Sequence, residues 1–479
     1  MKRTKIIATI GPASEKEREL AKLVKEGVNV VRLNFSHGDF EWHKKVIERV
    51  KSIAERLKMP IGIMADLQGP RMRVGNKREF AVKKEETVLI TELFSDLGKK
   101  KNGNKLKILA VDFPGVNKLV RAGDEILIED GLIKMKVAAK RRGRLEAVVI
   151  NGGIIKPKKG INIPSISSKF KALTSQDKEV LDFVLGQDVD FVAMSFVRTA
   201  KEIRQLKNLI REKSVNGGHP PQIIAKIERK EAVKNFNEIL KATDAVMVAR
   251  GDLGIEMPQA ELPVLQKEIA AKCLRAGKPV IVATQMLDSM IHNPRPTRAE
   301  ISDVSNAVID HADAVMLSGE TASGKYPAEA VTVMRKIIEK TEQSPFDDLR
   351  HGFLEDKRSS VSAAVAQSAH ELQKDSGAKA IVIASLSGFT ARMIARHRPE
   401  SKIYVMTNNE KTSNQLTLVW GVESFILPDC KTLDELIVKS MATIKKNKLL
   451  RKGDKVIIVT GRPHIKREHM SLVKVEEMR

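Results

Sequence analysis

Short apolar runs, each closing on glycine or polar residues, recur along the chain: KIIATIG (5–11), VVRLNFS (30–36), IGIMADL (61–67), FVAMSF (191–196), QIIAKIE (222–228), AVMVARG (245–251), VIVATQM (280–286) and AVMLSGE (314–320). Runs that are apolar at nearly every position fit strands buried on both faces, as in parallel sheets. Between most of them lie segments of helical period, such as EKERELAKLVKEG (15–27) and EAVKNFNEILKAT (231–243). Strand starts fall mostly about 23–35 residues apart, the size of a βα unit. Eight such units predict an α/β fold of the (β/α)8 TIM-barrel type. The competing arrangement, two doubly wound sheets, would carry a dinucleotide glycine fingerprint after a strand, and none follows these runs.

One gap breaks the rhythm. Between the third and fourth runs the chain offers short alternating stretches (ETVLI, DEILIED, LIKMKV, LEAVVI) separated by glycine turns, which predict a small inserted β-domain. A second break at EQSPFDDLRHG (342–352) precedes a renewed alternation of helical segments with AKAIVIASLSG, KIYVMTN, ESFILP and KVIIVTG, a further doubly wound α/β domain. The predicted organisation is therefore a barrel over 1–74 and 164–344, an inserted β-barrel lid over 75–163 and a C-terminal α/β domain over 345–479.

Composition narrows the function classes. No apolar run approaches the ~20 residues of a membrane span, and IIATI is too short for a signal-peptide core. The only cysteines, Cys273 and Cys430, lie far apart without metal-ligand spacing, which fits reduced thiols in a cytoplasmic protein. A net charge of +24 could indicate nucleic-acid binding, but aromatics are only 4% and the charge is scattered rather than gathered in one tail. The Lys-rich stretches at 99–107 and 140–144 suit solvated hairpin loops. Small, highly anionic substrates suit such a chain equally well.

Barrel active sites lie at the carboxyl ends of the strands. Those ends supply Arg32, Asn34, Ser36, Asp66, Ser195, Lys226, Glu228, Arg250, Asp252, Thr284, Ser318 and Glu320. Lys226 and Glu228 are two apart on a strand and share a face. They are either a buried ion pair or a cation over a transferring phosphoryl group beside a metal ligand. Asp252 sits in Arg-Gly-Asp-Leu-Gly, where glycines admit a ligand close to backbone. Glu228 with Asp252 is a sparse oxygen site of the kind Mg²⁺ accepts, and no His/Cys cluster suggests zinc. Thr284 alone reads first as a helix cap or core threonine, and Thr297 with Glu300 as a capping box.

In order along the chain, VRLNFSHG, DLQGPRMR, AKIER, MVARGDLGIE, ATQML, PRPTRAE and MLSGET resemble the pyruvate kinase family. The resemblance runs from residue 5 to about 330, with the insertion where that family has its lid, and continues more loosely to the C-terminus. It implies Mg²⁺-dependent transfer of the phosphoryl group of phosphoenolpyruvate to ADP, giving ATP and pyruvate, the last step of glycolysis; Mn²⁺ is the implied substitute metal. By that resemblance Glu228 and Asp252 hold the Mg²⁺ that binds phosphoenolpyruvate, while a second Mg²⁺ arrives with the nucleotide. Lys226 stabilises the in-flight phosphoryl group and Arg32 grips it from the opposite side. Gly251, Asp252 and Thr284 hold the substrate carboxylate. Asn34, Ser36, His37, Arg73 and Lys159 match nucleotide-contacting positions. Thr284 is placed to protonate the enolpyruvate carbon, but a threonine is a poor acid, so a relay through water and Ser318 or Glu320 would supply the proton.

Two further features follow from the resemblance. In ADLQGPRMR (65–73), Leu67 and Gln68 match members that work without K⁺; a monovalent-cation pocket of Asn34, Ser36, Asp66 and Leu67 would be filled by Arg71. In the C-terminal domain, Ser385, Ser387, Gly388 and Thr390 resemble an effector phosphate loop, but GRPHIKREHM (461–470) lacks the glycine-rich loop of members activated by fructose 1,6-bisphosphate. The family pattern implies a homotetramer. A Mg²⁺-dependent lyase acting on pyruvate or phosphoenolpyruvate is the competing enzyme class, and a nucleic-acid-binding protein the non-enzymatic one.

Overall fold

A computed structural model describes residues 2–92, 107–129, 131–141, 144–170, 172–213, 219–349, 354, 360–461 and 472–478. Most of the Lys-rich 99–107 stretch, part of 140–144, part of the boundary at 342–352 and nearly all of 461–470 lie outside those residues.

All eight apolar runs are strands of one closed barrel: Lys5–Thr9, Val30–Asn34, Gly62–Asp66, Phe191–Met194, Gln222–Ile227, Ala245–Ala249, Val280–Ala283 and Ala314–Leu317. They pair in parallel around the ring, the last closing on the first. Alternate residues point into the bore, where Ile7, Val30, Met64, Phe191, Ile224, Met247, Ile281 and Met316 pack with no more than 2% exposure. The others face the helices and form the larger core. The segment 231–243 makes two helices, Lys230–Lys234 and Phe236–Ala242, rather than one. Asn235 between them leaves the helical backbone and donates its side-chain amide to the Arg198 carbonyl at 2.9 Å. Thr297 and Glu300 form the predicted capping box at the start of Arg298–Ile309.

The insertion leaves and re-enters the barrel along paired strands: Met72–Arg73 runs antiparallel to Gly160–Asn162. Its seven-stranded sheet has Met72–Arg73 at one edge and Lys107–Val111 at the other. These edges meet through Asp112 N–H to Arg73 O and Gly75 N–H to Ala110 O, both 2.8 Å, so the sheet closes on its own core.

In the C-terminal domain the strands Ala380–Ala384, Lys402–Thr407, Val422–Ile426 and Lys455–Thr460 are parallel, and Leu472–Glu477 runs antiparallel at one edge. Alternating residues build a core on each face, Ile381, Ile383 and Trp420 on one, Val382, Tyr404 and Ile444 on the other. That is the doubly wound pattern. This domain docks on the amino end of the barrel. Leu418, fully buried, belongs to the packing cluster of the bore. Around it Lys5 Nζ donates to Val422 O at 2.7 Å, and the Arg398 guanidinium reaches Asp313 Oδ1 at 3.1 Å.

Candidate active site

The carboxyl end of the barrel holds a buried cluster of opposite charges. Lys226, in the fifth strand, points Nζ to Ser195 Oγ at 2.8 Å, Asp66 Oδ1 at 3.2 Å and Glu228 Oε1 at 2.9 Å. Arg32, in the second strand, grips Asp66 Oδ2 through Nε at 2.8 Å and Nη2 at 2.6 Å, and donates from Nη1 to Thr9 Oγ1 at 2.9 Å. Ser195 Oγ also donates to the Leu67 carbonyl at 2.7 Å. Burial alone would pull the Lys226 ammonium down, but Asp66 and Glu228 outweigh it and hold its pKa above the usual lysine value. Burial pushes the Asp66 carboxyl up, yet Lys226 and Arg32 together bring it below the ordinary value. Both groups therefore stay charged at neutral pH.

Glu228 differs. Its Oε2 accepts the Phe196 N–H at 2.7 Å, whereas Oε1, fully buried, has the Lys226 ammonium at 2.9 Å as its partner. Burial and the neighbouring Asp252 raise its pKa, with Lys226 opposing. Asp252 lies in the first turn of the helix Arg250–Glu256. Among the described residues no group of three or more His, Cys, Asp or Glu could hold a metal. A buried carboxylate oxygen answered only by an ion pair, beside a second carboxylate, fits Mg²⁺, which completes its shell with water and substrate oxygens. Both acids line a cleft of about 450 Å³ that also takes in Arg71, Gly160, Asn162 and Arg229, so it runs between barrel and insertion.

Thr284 is neither a helix cap nor a core threonine. It follows the seventh strand at φ +70°, with Gln285 next at +54°, a left-handed pair that a β-branched residue rarely adopts. This turn brings Thr284 Oγ1 to 2.8 Å from the Gly251 N–H, and Oγ1 donates to Ala283 O at 2.6 Å. A Cβ on Gly251 would sit 3.5 Å from that hydroxyl. Glu320 is 1% exposed, and its carboxylate accepts the N–H groups of Ser318 at 2.7 Å and Leu287 at 3.1 Å. Burial raises its pKa. The Ser318 hydroxyl is buried without a hydrogen-bond partner.

Nearer the insertion, Asn34 Oδ1 accepts the Ser36 N–H at 3.1 Å. His37 is held below its usual pKa by burial and by Arg73, Arg71, Arg32 and Lys158, so its imidazole is neutral in a strongly positive field. Arg73 Nη1 donates to Lys158 O at 3.0 Å, and Lys159 pairs with Glu129 at 2.6 Å. Arg71 departs from expectation. Its guanidinium does not lie on Asp66, whose oxygens are occupied by Arg32, Lys226 and Ser195; it reaches Asp252 Oδ1 at 3.3 Å. Arginine is long enough to pass the saturated acid and find the open one.

Residues 1–331 match the family model for the pyruvate kinase barrel domain, and residues 363–476 match that for the pyruvate kinase alpha/beta domain. The chain belongs to the pyruvate kinase family. A pyruvate kinase of Geobacillus stearothermophilus is 41% identical over 478 residues, covering 99% of this chain and 80% of its own length. Pyruvate kinase 2 of Synechocystis is 40% identical over 482 residues, covering 99% and 79%. A crystal structure of a pyruvate kinase from Cryptosporidium parvum superposes with a TM-score of 0.89 at 34% identity, covering 100% of this chain and 96% of that one. Like its family, the protein is a phosphotransferase. No helix among the described residues is long and apolar enough to cross a membrane.

The family frame also shows what sequence reasoning missed. Phe196, which orients Glu228, and the buried pair of Arg229 with Glu256 were not singled out. Arg229 stands inside AKIER and Glu256 inside GDLGIE. The signal was a charged residue at each motif's end with no stated role. Ser385, Ser387, Gly388 and Thr390, read from the sequence as a candidate effector loop, lie past the strand Ala380–Ala384, whose neighbours on either side are Lys402–Thr407 and Lys455–Thr460. That is the switch point of the sheet, where doubly wound domains bind ligands.

Proposed function

We propose that the protein transfers the phosphoryl group of phosphoenolpyruvate to ADP, producing ATP and pyruvate. The observation that carries this reading is Lys226, 8% exposed and kept charged between Asp66 and Glu228 at the carboxyl end of the barrel. Phosphoryl transfer needs positioning and charge neutralisation more than covalent help. A substrate phosphate displaces part of the Lys226–Asp66–Arg32 network and receives the ammonium on one side and the Arg32 guanidinium on the other. Glu228 and Asp252 would hold Mg²⁺, or Mn²⁺ in its place, which when bound neutralises phosphate and carboxylate oxygens. The N–H groups at the start of Arg250–Glu256, with Thr284, receive the substrate carboxylate. Asn34, Ser36, His37, Arg73 and Lys159 face the nucleotide, and lid closure excludes competing water. Thr284 Oγ1 hands a proton to the enolpyruvate carbon and regains one from solvent water through a relay that includes the unpartnered Ser318 Oγ or Glu320.

The same proposal includes turnover without K⁺. Leu67 and Gln68 follow the K⁺-independent pattern, and Arg71 adds a fixed cation to the site, beside Asp252 rather than Asp66. Homotetramers, cytoplasmic residence and an effector phosphate at Ser385–Thr390 belong to this reading as family expectations. A lactate-dehydrogenase-coupled assay of phosphoenolpyruvate turnover tests it. Pyruvate should form only with both ADP and divalent metal, and a rise of kcat below about tenfold on adding K⁺ at constant ionic strength is expected. Pyruvate formation indifferent to ADP would point to the lyase alternative.

A further inference from the structure

Both passages between barrel and lid converge on one pair of side chains. On the way in, Gly69 (φ +66°) presses on Phe196 so closely that a Cβ there would lie 2.8 Å from the ring. On the way out, Asn162 Oδ1 accepts from Arg229 Nη1 at 3.2 Å, and Asn162 Nδ2 donates to Glu256 Oε1 at 3.1 Å. The Arg229 guanidinium lies 4.6 Å from the centroid of the Phe196 ring and forms a short ion pair with Glu256. Arg229 is 6% exposed.

The same residues hold the two carboxylates that line the cleft. Phe196 donates its N–H to Glu228, Arg229 is the next residue in the chain after Glu228, and Glu256 ends the helix that begins with Arg250 and Asp252. A planar guanidinium can stack on an aromatic face while its fork bonds an acid and an amide, which an ammonium cannot do. We infer that Arg229, stacked on Phe196 and bonded to Glu256 and Asn162, is a positioning residue that couples the carboxylates Glu228 and Asp252 to the position of the lid. A cation arriving at those carboxylates shifts the Arg229–Glu256 unit, and Asn162 carries the shift into the lid's return strand.

The inference rests on the assignment of Glu228 and Asp252 as metal ligands, so its test separates the two. Mn²⁺ titration followed by electron paramagnetic resonance is combined with hydrogen exchange of the hinge segments 68–74 and 158–163 in the full-length protein. In the wild type, saturating Mn²⁺ should slow hinge exchange several-fold. Arg229→Met should weaken Mn²⁺ binding about tenfold or more, the scale expected when a residue that orients a metal ligand is lost, and its hinges should no longer respond to saturating Mn²⁺. Arg229→Lys should resemble Arg229→Met, because charge without the fork does not restore the joint. Asn162→Ala should bind Mn²⁺ within about twofold of wild type but lose the hinge response. A folded Arg229→Met protein with wild-type affinity and hinge response overturns the inference. Should that variant fail to fold, a retained hinge response in Asn162→Ala overturns it alone. If Glu228→Gln binds Mn²⁺ like the wild type, the metal assignment falls. The joint then stands or falls on whether metal-free Asn162→Ala exchanges its hinges several-fold faster than wild type.

Discussion

Three acids at the amino end of the barrel and two around Lys226 at the carboxyl end are answered by different partners. At the amino end, Asp190, Asp244 and Asp313 each give an oxygen to a neighbouring strand, accepting from Ile63 N, Ile223 N and Val280 N at 2.8–3.0 Å. Asp313 also accepts the Trp420 N–H at 3.2 Å and pairs with Arg398, and Leu418 fills the bore behind it. At the carboxyl end, Asp66 faces Lys226 and Arg32 side chain to side chain, and Glu228 Oε1 has the Lys226 ammonium as its partner. Acids that satisfy backbone donors hold a fold together. Acids answered chiefly by cationic side chains can exchange those partners for a ligand.

The sharpest way to break this contrast is Lys226→Met. It should lower kcat for transfer to ADP by about 10³-fold or more, in line with the loss of a cation on a transferring phosphoryl group. The protein should stay folded and keep metal-dependent phosphoenolpyruvate binding, measurable by calorimetry; near-normal turnover would remove Lys226 from the mechanism. At the other end the balance should invert. Asp313→Ala leaves the buried Arg398 and two backbone N–H groups without their acceptor and should cost about 3–5 kcal/mol, while kcat per folded molecule changes little. Urea unfolding read beside steady-state kinetics separates the two effects.

Leu418→Ala should cost about 2–5 kcal/mol through the cavity left at the base of the bore, measured the same way. A loss below about 1 kcal/mol would mean that the C-terminal domain does not brace the barrel there. The smallest effect is expected from Asp190→Asn. Burial raises the Asp190 carboxyl to about 6, against the opposing pull of Lys411 and the Ile63 N–H. A raised acid favours the fold while protonated. Its contribution is therefore present below the ordinary value of 3.8 and lost as pH climbs through about 6. Replacing this carboxyl by an amide should flatten that slope, by at most about 3 kcal/mol. An unchanged difference in urea midpoints between about pH 4 and pH 7 would exclude this group as its source.

Much of this contrast was legible in the chain. Continuous apolar runs gave the strands, because a buried parallel strand must be apolar on both faces. The end of each run marked the side chains that converge at one mouth of the barrel, including Lys226, Glu228, Asp252 and Thr284. What escaped was partner choice. DLQGPRMR places Arg71 five residues beyond Asp66, yet the folded chain turns it to Asp252, since Arg32 and Lys226 reach Asp66 first from strands two and five. The Asn235 break inside 231–243 escaped as well, because its cause is the Arg198 carbonyl, distant in sequence.

By itself, then, the sequence determined the order of strands and helices, the closed parallel barrel with its insertion, the family and the set of charged groups at the strand ends. Those follow from periodicity and local motifs, which act over a few residues. The tertiary structure alone decided which acid meets which cation, that Leu418 of one domain completes the core of another, and that Phe196, Arg229, Asn162 and Glu256 join the lid to the carboxylates. Such pairings join residues tens to hundreds of positions apart, and their strength depends on a shared low-dielectric interior that exists only once the chain has closed around it.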